Sequence, residues 1–385
     1  MNLTENINFS NFKAVKNNLK IKKLLLNLFN LKSEIISSLK KSYKYSYDKK
    51  RILKFKNISN VVLIGMGGSI LGAKSIYSFL KFKIKKKFMF VDNYVIKNNN
   101  NLKKNFVNLV ISKSGNTLET IANCNILVKK KHKNIFITEN KKSYLRDFAY
   151  KLKAEIIDHN NYIGGRYSVL SEVGMLPAEL MGLKTSSFKK FDALVKNRNF
   201  INSLIENVSN TINLIGAKKY NSIILNYDQN SIELFNWYQQ LIAESLGKQN
   251  KGFFPIISNL PEDNHSLMQY YLDGPKHNFY TFFYVNDLRT KKINNNLSSY
   301  SYIKNKKIND IKLAQFKATQ TVFKNKSIPF RCFFIKKKNE ETLGELFTFF
   351  ILETILLGKV MNINPYDQPA VELIKKETIK NLINS

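Results

Sequence analysis

Cysteine is nearly absent from this chain. Cys124 and Cys332 are the only two, far apart and without paired spacing, which argues against a disulfide framework or a thiolate zinc site and for a reducing cytoplasm. Histidine is scarce too: His132, His159, His265 and His277 are the four, and none is spaced as a metal-ligating pair on one helix face, so no metal is expected. Long apolar runs are missing. The most apolar stretch, 346–357, is too short to span a bilayer and is interrupted by Glu353. The amino-terminal MNLTENINFSNFKAVKNN has neither an apolar core of signal-peptide length nor a small-residue cleavage site. A membrane role is therefore not expected.

Acidic residues are also in deficit, 28 against 62 basic ones, for a formal charge of +34. Such a charge raises nucleic-acid binding as one reading. Yet only 6 of the 62 basic residues are arginine, the residue that grips guanine and phosphate with a planar fork. The lysines are scattered along the chain beside abundant Asn, Ile, Phe and Tyr, all encoded by A+T-rich codons. Base drift thus explains the charge without a specific nucleic-acid partner.

What is present is enough chain, 385 residues at 44% hydrophobic, for two domains with sizeable cores. Residues 1–57 read as a helical arm, with apolar positions three and four apart in 21–39. From residue 60 the rhythm changes. Short apolar runs at 61–65, 88–92, 107–112, 134–138 and 155–158 read as buried parallel strands, separated by helical segments at 69–81, 117–131, 141–151 and 168–181. A long connecting helix is expected at 187–214. The alternation then restarts, with strands at 222–227, 253–258, 279–284 and 330–335 and helices at 231–246, 264–272, 310–324, 342–357 and 368–384. The polar stretch 286–307 reads as a loop. The fold class is α/β: two doubly wound, mainly parallel sheets, in units 58–185 and 186–385, after the helical arm.

Ligands in such sheets sit beyond the carboxyl ends of the strands, so motifs there carry the most weight. GMGGSILG, residues 65–72, follows the first strand. Its glycines let the backbone turn sharply beside a ligand, with Gly68 and Ser69 at a helix start. It fits neither a dinucleotide fingerprint, since Ile70 stands where glycine is needed, nor a Walker loop. SKSGNTLET, residues 112–120, crowds Ser112, Lys113, Ser114, Thr117 and Thr120 around a strand-to-helix turn. A helix cap needs one or two such residues; this excess suits a phosphate monoester. GGRYS, residues 164–168, presents the rare Arg166 behind two glycines. Gln240 and Glu244, four apart, share one helix face, and a carboxylate there is a candidate general base or an exposed glutamate. His265 lies in DNHSLMQ at an expected helix start. In NPYDQPAVELIK, residues 364–375, Pro369 suits the first turn of a helix that carries Lys375.

These segments, in this order, closely resemble the phosphoglucose isomerase family from about Val61 to Lys375. The resemblance implies two sugar-isomerase (SIS) domains of flavodoxin-like topology and interconversion of glucose 6-phosphate and fructose 6-phosphate. It implies that Ser112, Lys113, Ser114 and Thr117 hold the sugar phosphate, near Gly68, Ser69 and Gln368. His265 and Lys375 are then expected to assist ring opening, Glu244 to carry a proton between C2 and C1 through a cis-enediol, Arg166 to stabilise the enediolate, and Gln240 to contact substrate. It further implies no cofactor and a homodimer in which the histidine reaches the neighbouring active site. Two departures stand out: Glu172 where the family usually has a small residue, and Ala370 in place of the commoner glycine.

Other readings stay open at this point. A bifunctional isomerase that also accepts mannose 6-phosphate uses the same scaffold. A non-catalytic sugar-phosphate sensor is expected to lack the proton shuttle, yet Glu244, His265 and Lys375 are all present.

Overall fold

A computed structural model describes residues 2–12, 18–95, 105–294 and 300–384. Its two sheets have five strands each. The first is built from β2 (Asn60–Gly65), β3 (Lys87–Val91), β4 (Phe106–Ile111), β5 (Lys133–Thr138) and β6 (Glu155–Asp158). All its pairings are parallel, in the order β3-β2-β4-β5-β6. Counted along the chain this is the flavodoxin order 2-1-3-4-5, whose switch point lies between β2 and β4. In β2 every residue from Val61 to Gly65 is buried, as a strand covered by helices on both faces must be.

The second sheet repeats the plan with β7 (Asn221–Asn226), β8 (Phe254–Asn259), β9 (Asn278–Val285) and β10 (Phe330–Ile335). With β1 (Ile7–Ser10) at one edge, the observed order is β1-β10-β9-β7-β8. Its fifth position is taken by β1, which runs antiparallel to β10. The amino-terminal arm is therefore not purely helical. The helices Leu19–Asn30, Glu34–Leu39 and Lys49–Leu53 are present, but a strand precedes them. Its alternating burial, Ile7 and Phe9 inward, is too short to stand out from sequence, and its partner is remote in the chain.

The expected single connector at 187–214 is broken. Two short turns, Thr185–Phe188 and Phe191–Leu194, precede the helix Arg198–Gly216. Asn197 starts that helix afresh, its side chain accepting from Phe200 N, a cap that gives the backbone an alternative to continuing. The helix Glu340–Val360 runs through the core, buried at every position from Thr342 to Gly358; each large apolar side chain there contributes roughly 1.5–3 kcal/mol. Glu353, the break in that apolar run, pairs with buried Arg331 and accepts from Asn207 and Tyr238, which compensates a charge that hydrocarbon could not hold. No described helix is long and apolar enough to cross a membrane.

Two helices join the halves. Leu71–Phe79, from the first, packs against Ile232–Leu246, from the second. Leu234, Phe235, Trp237, Tyr238, Leu241 and Ile242 are buried on the latter, while Gln240 and Glu244 lie at its half-buried edge. That packing carries a carboxylate of the second half to the switch point of the first sheet.

Candidate active site

Two backbone turns meet at the switch point. Gly67, at φ +49°, opens the turn after β2, and a Cβ there would stand 2.7 Å from Gln240 Nε2. A Cβ on Gly68 would fall 2.2 Å from the Gly165 carbonyl carbon, so only glycine lets the GMGG and GGRYS turns touch. Three sequence motifs are thereby in contact: the first glycine-rich turn, the Arg166 turn and the Gln240–Glu244 helix edge. Ser69 is half-buried on the same turn.

Arg166 is the hub, 3% exposed, and each of its five N–H groups has an acceptor. Nη1 donates to Glu244 Oε2 at 3.2 Å and to Gln368 Oε1 at 2.7 Å. Nη2 donates to the carbonyls of Pro365 at 2.8 Å and Asp367 at 3.0 Å. Nε donates to Ser245 Oγ at 2.8 Å. The other Glu244 oxygen accepts from Gln240 Nε2 at 2.8 Å. Glu244 thus has both oxygens oriented, one by an amide and one by a cation, while its side chain stays 31% accessible. Beside it opens a cavity of about 570 Å³, lined by Glu244, Lys248, Asp367 and Gln368 among others. A carboxylate that is held, charge-paired and still reachable has the attributes of a proton shuttle.

The turn after β4 supplies the hydroxyls. Ser112 is buried and its Oγ lies 3.0 Å from Thr117 Oγ1. Thr117 occupies the N-cap of the helix Leu118–Leu127 but makes no side-chain capping bond. Capping therefore does not explain its hydroxyl, which faces Ser112 instead. Ser114 is exposed and its Oγ accepts from Asn116 N. Lys113 is half-buried, with Nζ 3.6 Å from Glu139 Oε1. Burial lowers its pKa, Glu139 opposes that shift, and the charges of Lys141 and Arg166 add to it. Clustered hydroxyls, a helix amino terminus and a partly desolvated ammonium together suit a dianionic phosphate.

His265 and Lys375 do not join this cluster within one chain. His265 is exposed at the end of the turn Glu262–Asn264. Lys375 is exposed on the helix Pro369–Asn384 and pairs with Glu372 at 2.6 Å. Gln368, one residue before that helix, does reach Arg166. No cluster of metal-ligating side chains occurs among the described residues.

Four participants had no role in the sequence reading. Ser245 and Tyr167 bond to each other at 2.9 Å behind Arg166. Lys248 clamps the 364–367 turn through the carbonyls of Asn364 and Asp367 and the Asp367 carboxylate. Glu139 braces Lys113. Each neighbours a motif residue in sequence or space, the only signal available.

Residues 41–253 match the family model for phosphoglucose isomerase. Over 350 residues the chain is 33% identical to the glucose-6-phosphate isomerase of Methanocaldococcus jannaschii, spanning 84% of this chain and 85% of that protein. It is 32% identical over 364 residues to the glucose-6-phosphate isomerase of Mycoplasmopsis pulmonis, spanning 86% and 84%. Among solved structures, a hypothetical protein from Thermus thermophilus aligns with a TM-score of 0.81 at 22% identity over 94% of both chains. A glucose-6-phosphate isomerase from Chlamydia trachomatis aligns with a TM-score of 0.74 at 18% identity, covering 99% of this chain and 89% of that one. Those two likenesses bear on the fold, and the sequence matches on descent. This chain belongs to the phosphoglucose isomerase family.

Proposed function

We propose that the protein interconverts glucose 6-phosphate and fructose 6-phosphate as an aldose–ketose isomerase, with Glu244 as the proton carrier. The observation that carries this reading is the Arg166–Glu244 pair at 3.2 Å, set beside the hydroxyl-rich turn at the first sheet's switch point. The phosphate is held by Ser112, Lys113, Ser114 and Thr117, with the Gly68–Ser69 turn alongside. On the open-chain aldose, the Glu244 carboxylate removes the proton from C2, and the electron pair moves into a C1–C2 double bond. The C1 oxygen takes up the negative charge and is protonated to give the cis-enediol. Loss of the C2 hydroxyl proton then returns a carbonyl at C2 while Glu244 delivers its proton to C1. Carbon C1 is reduced as C2 is oxidised, so electrons balance within the substrate. Arg166 lowers the energy of the charged intermediate as a buried, preorganised cation. Gln240 and Gln368 orient the two principal groups.

His265 and Lys375 are assigned to ring opening in an assembled homodimer. Two observations favour that assembly. Both side chains are outside the single-chain cluster, and the helix Pro369–Asn384 buries none of its residues while exposing Leu373, Ile374, Ile379 and Ile383. An exposed helix with apolar residues of this kind suits a subunit contact. The test of function is a coupled assay of fructose 6-phosphate conversion by the purified protein. Sustained formation of glucose 6-phosphate supports the reading, and none at any protein concentration refutes it.

A further inference from the structure

The hydrogen-bond directions around Arg166 can be assigned without seeing a hydrogen. The guanidinium only donates, so Ser245 Oγ accepts from Nε at 2.8 Å. A carbonyl only accepts, so Pro365 O takes the Tyr167 phenol hydrogen at 3.0 Å, together with Arg166 Nη2 at 2.8 Å. The phenol has one hydrogen, now spent. The 2.9 Å contact between Tyr167 Oη and Ser245 Oγ must therefore carry the serine's hydrogen to the phenol oxygen. The result is a closed ring running from Nε to Ser245, to Tyr167, to the Pro365 carbonyl and back to Nη2. Tyr167 and Ser245 are fully buried, so water does not compete for these bonds. Burial pushes the Tyr167 phenol up to about 12 against the opposing charge of Arg166, which keeps its proton in place.

The ring grips one edge of the guanidinium, Nε and Nη2, and leaves Nη1 for Glu244 and Gln368. We propose that Ser245 and Tyr167 are positioning residues for the isomerisation, which fix the rotation of Arg166 so that Nη1 faces the proton-carrying carboxylate and the substrate. This rests on the functional reading above and extends it to two residues that need not touch the sugar. A misaimed cation loses stabilisation of the transition state more than it loses ground-state binding.

The test is steady-state kinetics of Tyr167→Phe and Ser245→Ala, each alone and in an Arg166→Lys background. A lysine has no edge for the ring to hold. Both single variants should lose about tenfold or more in kcat with KM within about twofold, as expected when a group acts only in the transition state. In the Arg166→Lys background the same substitutions should change kcat by less than about twofold, since residues acting as a unit are not additive. A merely structural role predicts the same loss in both backgrounds, and that result would overturn the proposal. Full turnover of Tyr167→Phe and Ser245→Ala beside a crippled Arg166→Lys enzyme overturns the positioning role and spares the functional reading. Full turnover of Arg166→Lys itself overturns both.

Discussion

Nη1 of Arg166 lies 3.2 Å from Oε2 of Glu244, and the two residues come from different halves of the chain. The arginine sits on a turn after the first sheet, and the glutamate on the helix Ile232–Leu246 that packs across from the second. One cation therefore faces the proposed proton carrier and lies where the proposed reaction develops charge. All five of its donors are engaged, so substrate binding must exchange an existing bond for a new one.

Replacing Arg166 by lysine keeps the charge and removes the fork. A single ammonium cannot serve Glu244, Gln368, Ser245 and two carbonyls at once. Turnover should fall by roughly 10²–10³, the size of effect seen when one oxyanion donor is removed. Steady-state assays of fructose 6-phosphate conversion decide it, and a loss under about threefold would count against a charge-stabilising role.

Lys113 belongs to the proposed phosphate site. Lys113→Ala should raise KM by about tenfold or more, since a hydrogen bond to a charged group contributes roughly 1.5–3 kcal/mol, and leave kcat largely intact. In the proposed site phosphate binding needs the ammonium, and the lysine's pKa is lowered, first by burial. In the wild-type protein KM should accordingly begin to rise with pH below 10.5, where an ordinary lysine titrates. A KM that stays flat up to that pH excludes this cation from the phosphate site.

Thr117→Val separates capping from substrate binding. Because the hydroxyl faces Ser112 and caps nothing, the melting temperature should stay nearly constant while KM rises. Loss of a true N-cap costs about 0.5–2 kcal/mol. A clear drop in melting temperature with unchanged KM would assign the threonine to the helix instead.

Lys189 governs part of the stability profile. It is 3% exposed, bonded to the carbonyls of Ser38 and Leu170 and seated over the rings of Tyr43 and Tyr45. Burial pushes it down to about 7, with Glu172 opposing. The unfolded lysine titrates near 10.5. Between those values the unfolded chain binds more protons, so this group makes stability rise with pH from about 7 upward, by a few kcal/mol at most. Denaturant unfolding at pH 7 and pH 9 should show a smaller rise in Lys189→Met than in the wild type. Equal rises would show that Lys189 is charged across that range.

Much of this was legible in the sequence because the signals are local. Strand β2 is an apolar run closed by glycine and β4 one interrupted only by Asn108 and followed by serine, and a turn crowded with Ser112, Ser114 and Thr117 exceeds what capping requires. The rarity of arginine singled out Arg166. What stayed hidden depends on remote packing. β1 is four residues long and pairs with a strand more than 300 positions away. The connector broke at Asn197, whose amide competes with the helix ladder. Ser245 and Tyr167 carry no signal of their own in the sequence, and only their shared contact with Arg166 and Pro365 gives them a task. Glu172, an oddity in the sequence, is buried and accepts from Asn160 N at 2.7 Å and from Tyr43 Oη at 3.0 Å, so it ties the amino-terminal arm to the first sheet.

The hydrogen itself can be followed. Glucose 6-phosphate deuterated at C2 is converted by the wild-type protein and by Glu244→Gln, and C1 of the fructose 6-phosphate is examined by NMR. If Glu244 ferries the proton, the wild type places part of the deuterium at C1 and exchanges the rest with solvent. The variant, still binding substrate, should lose turnover by roughly 10²–10⁴, the contribution of a positioned general base. A Glu244→Gln protein that transfers label at the wild-type rate would show that another group moves the proton.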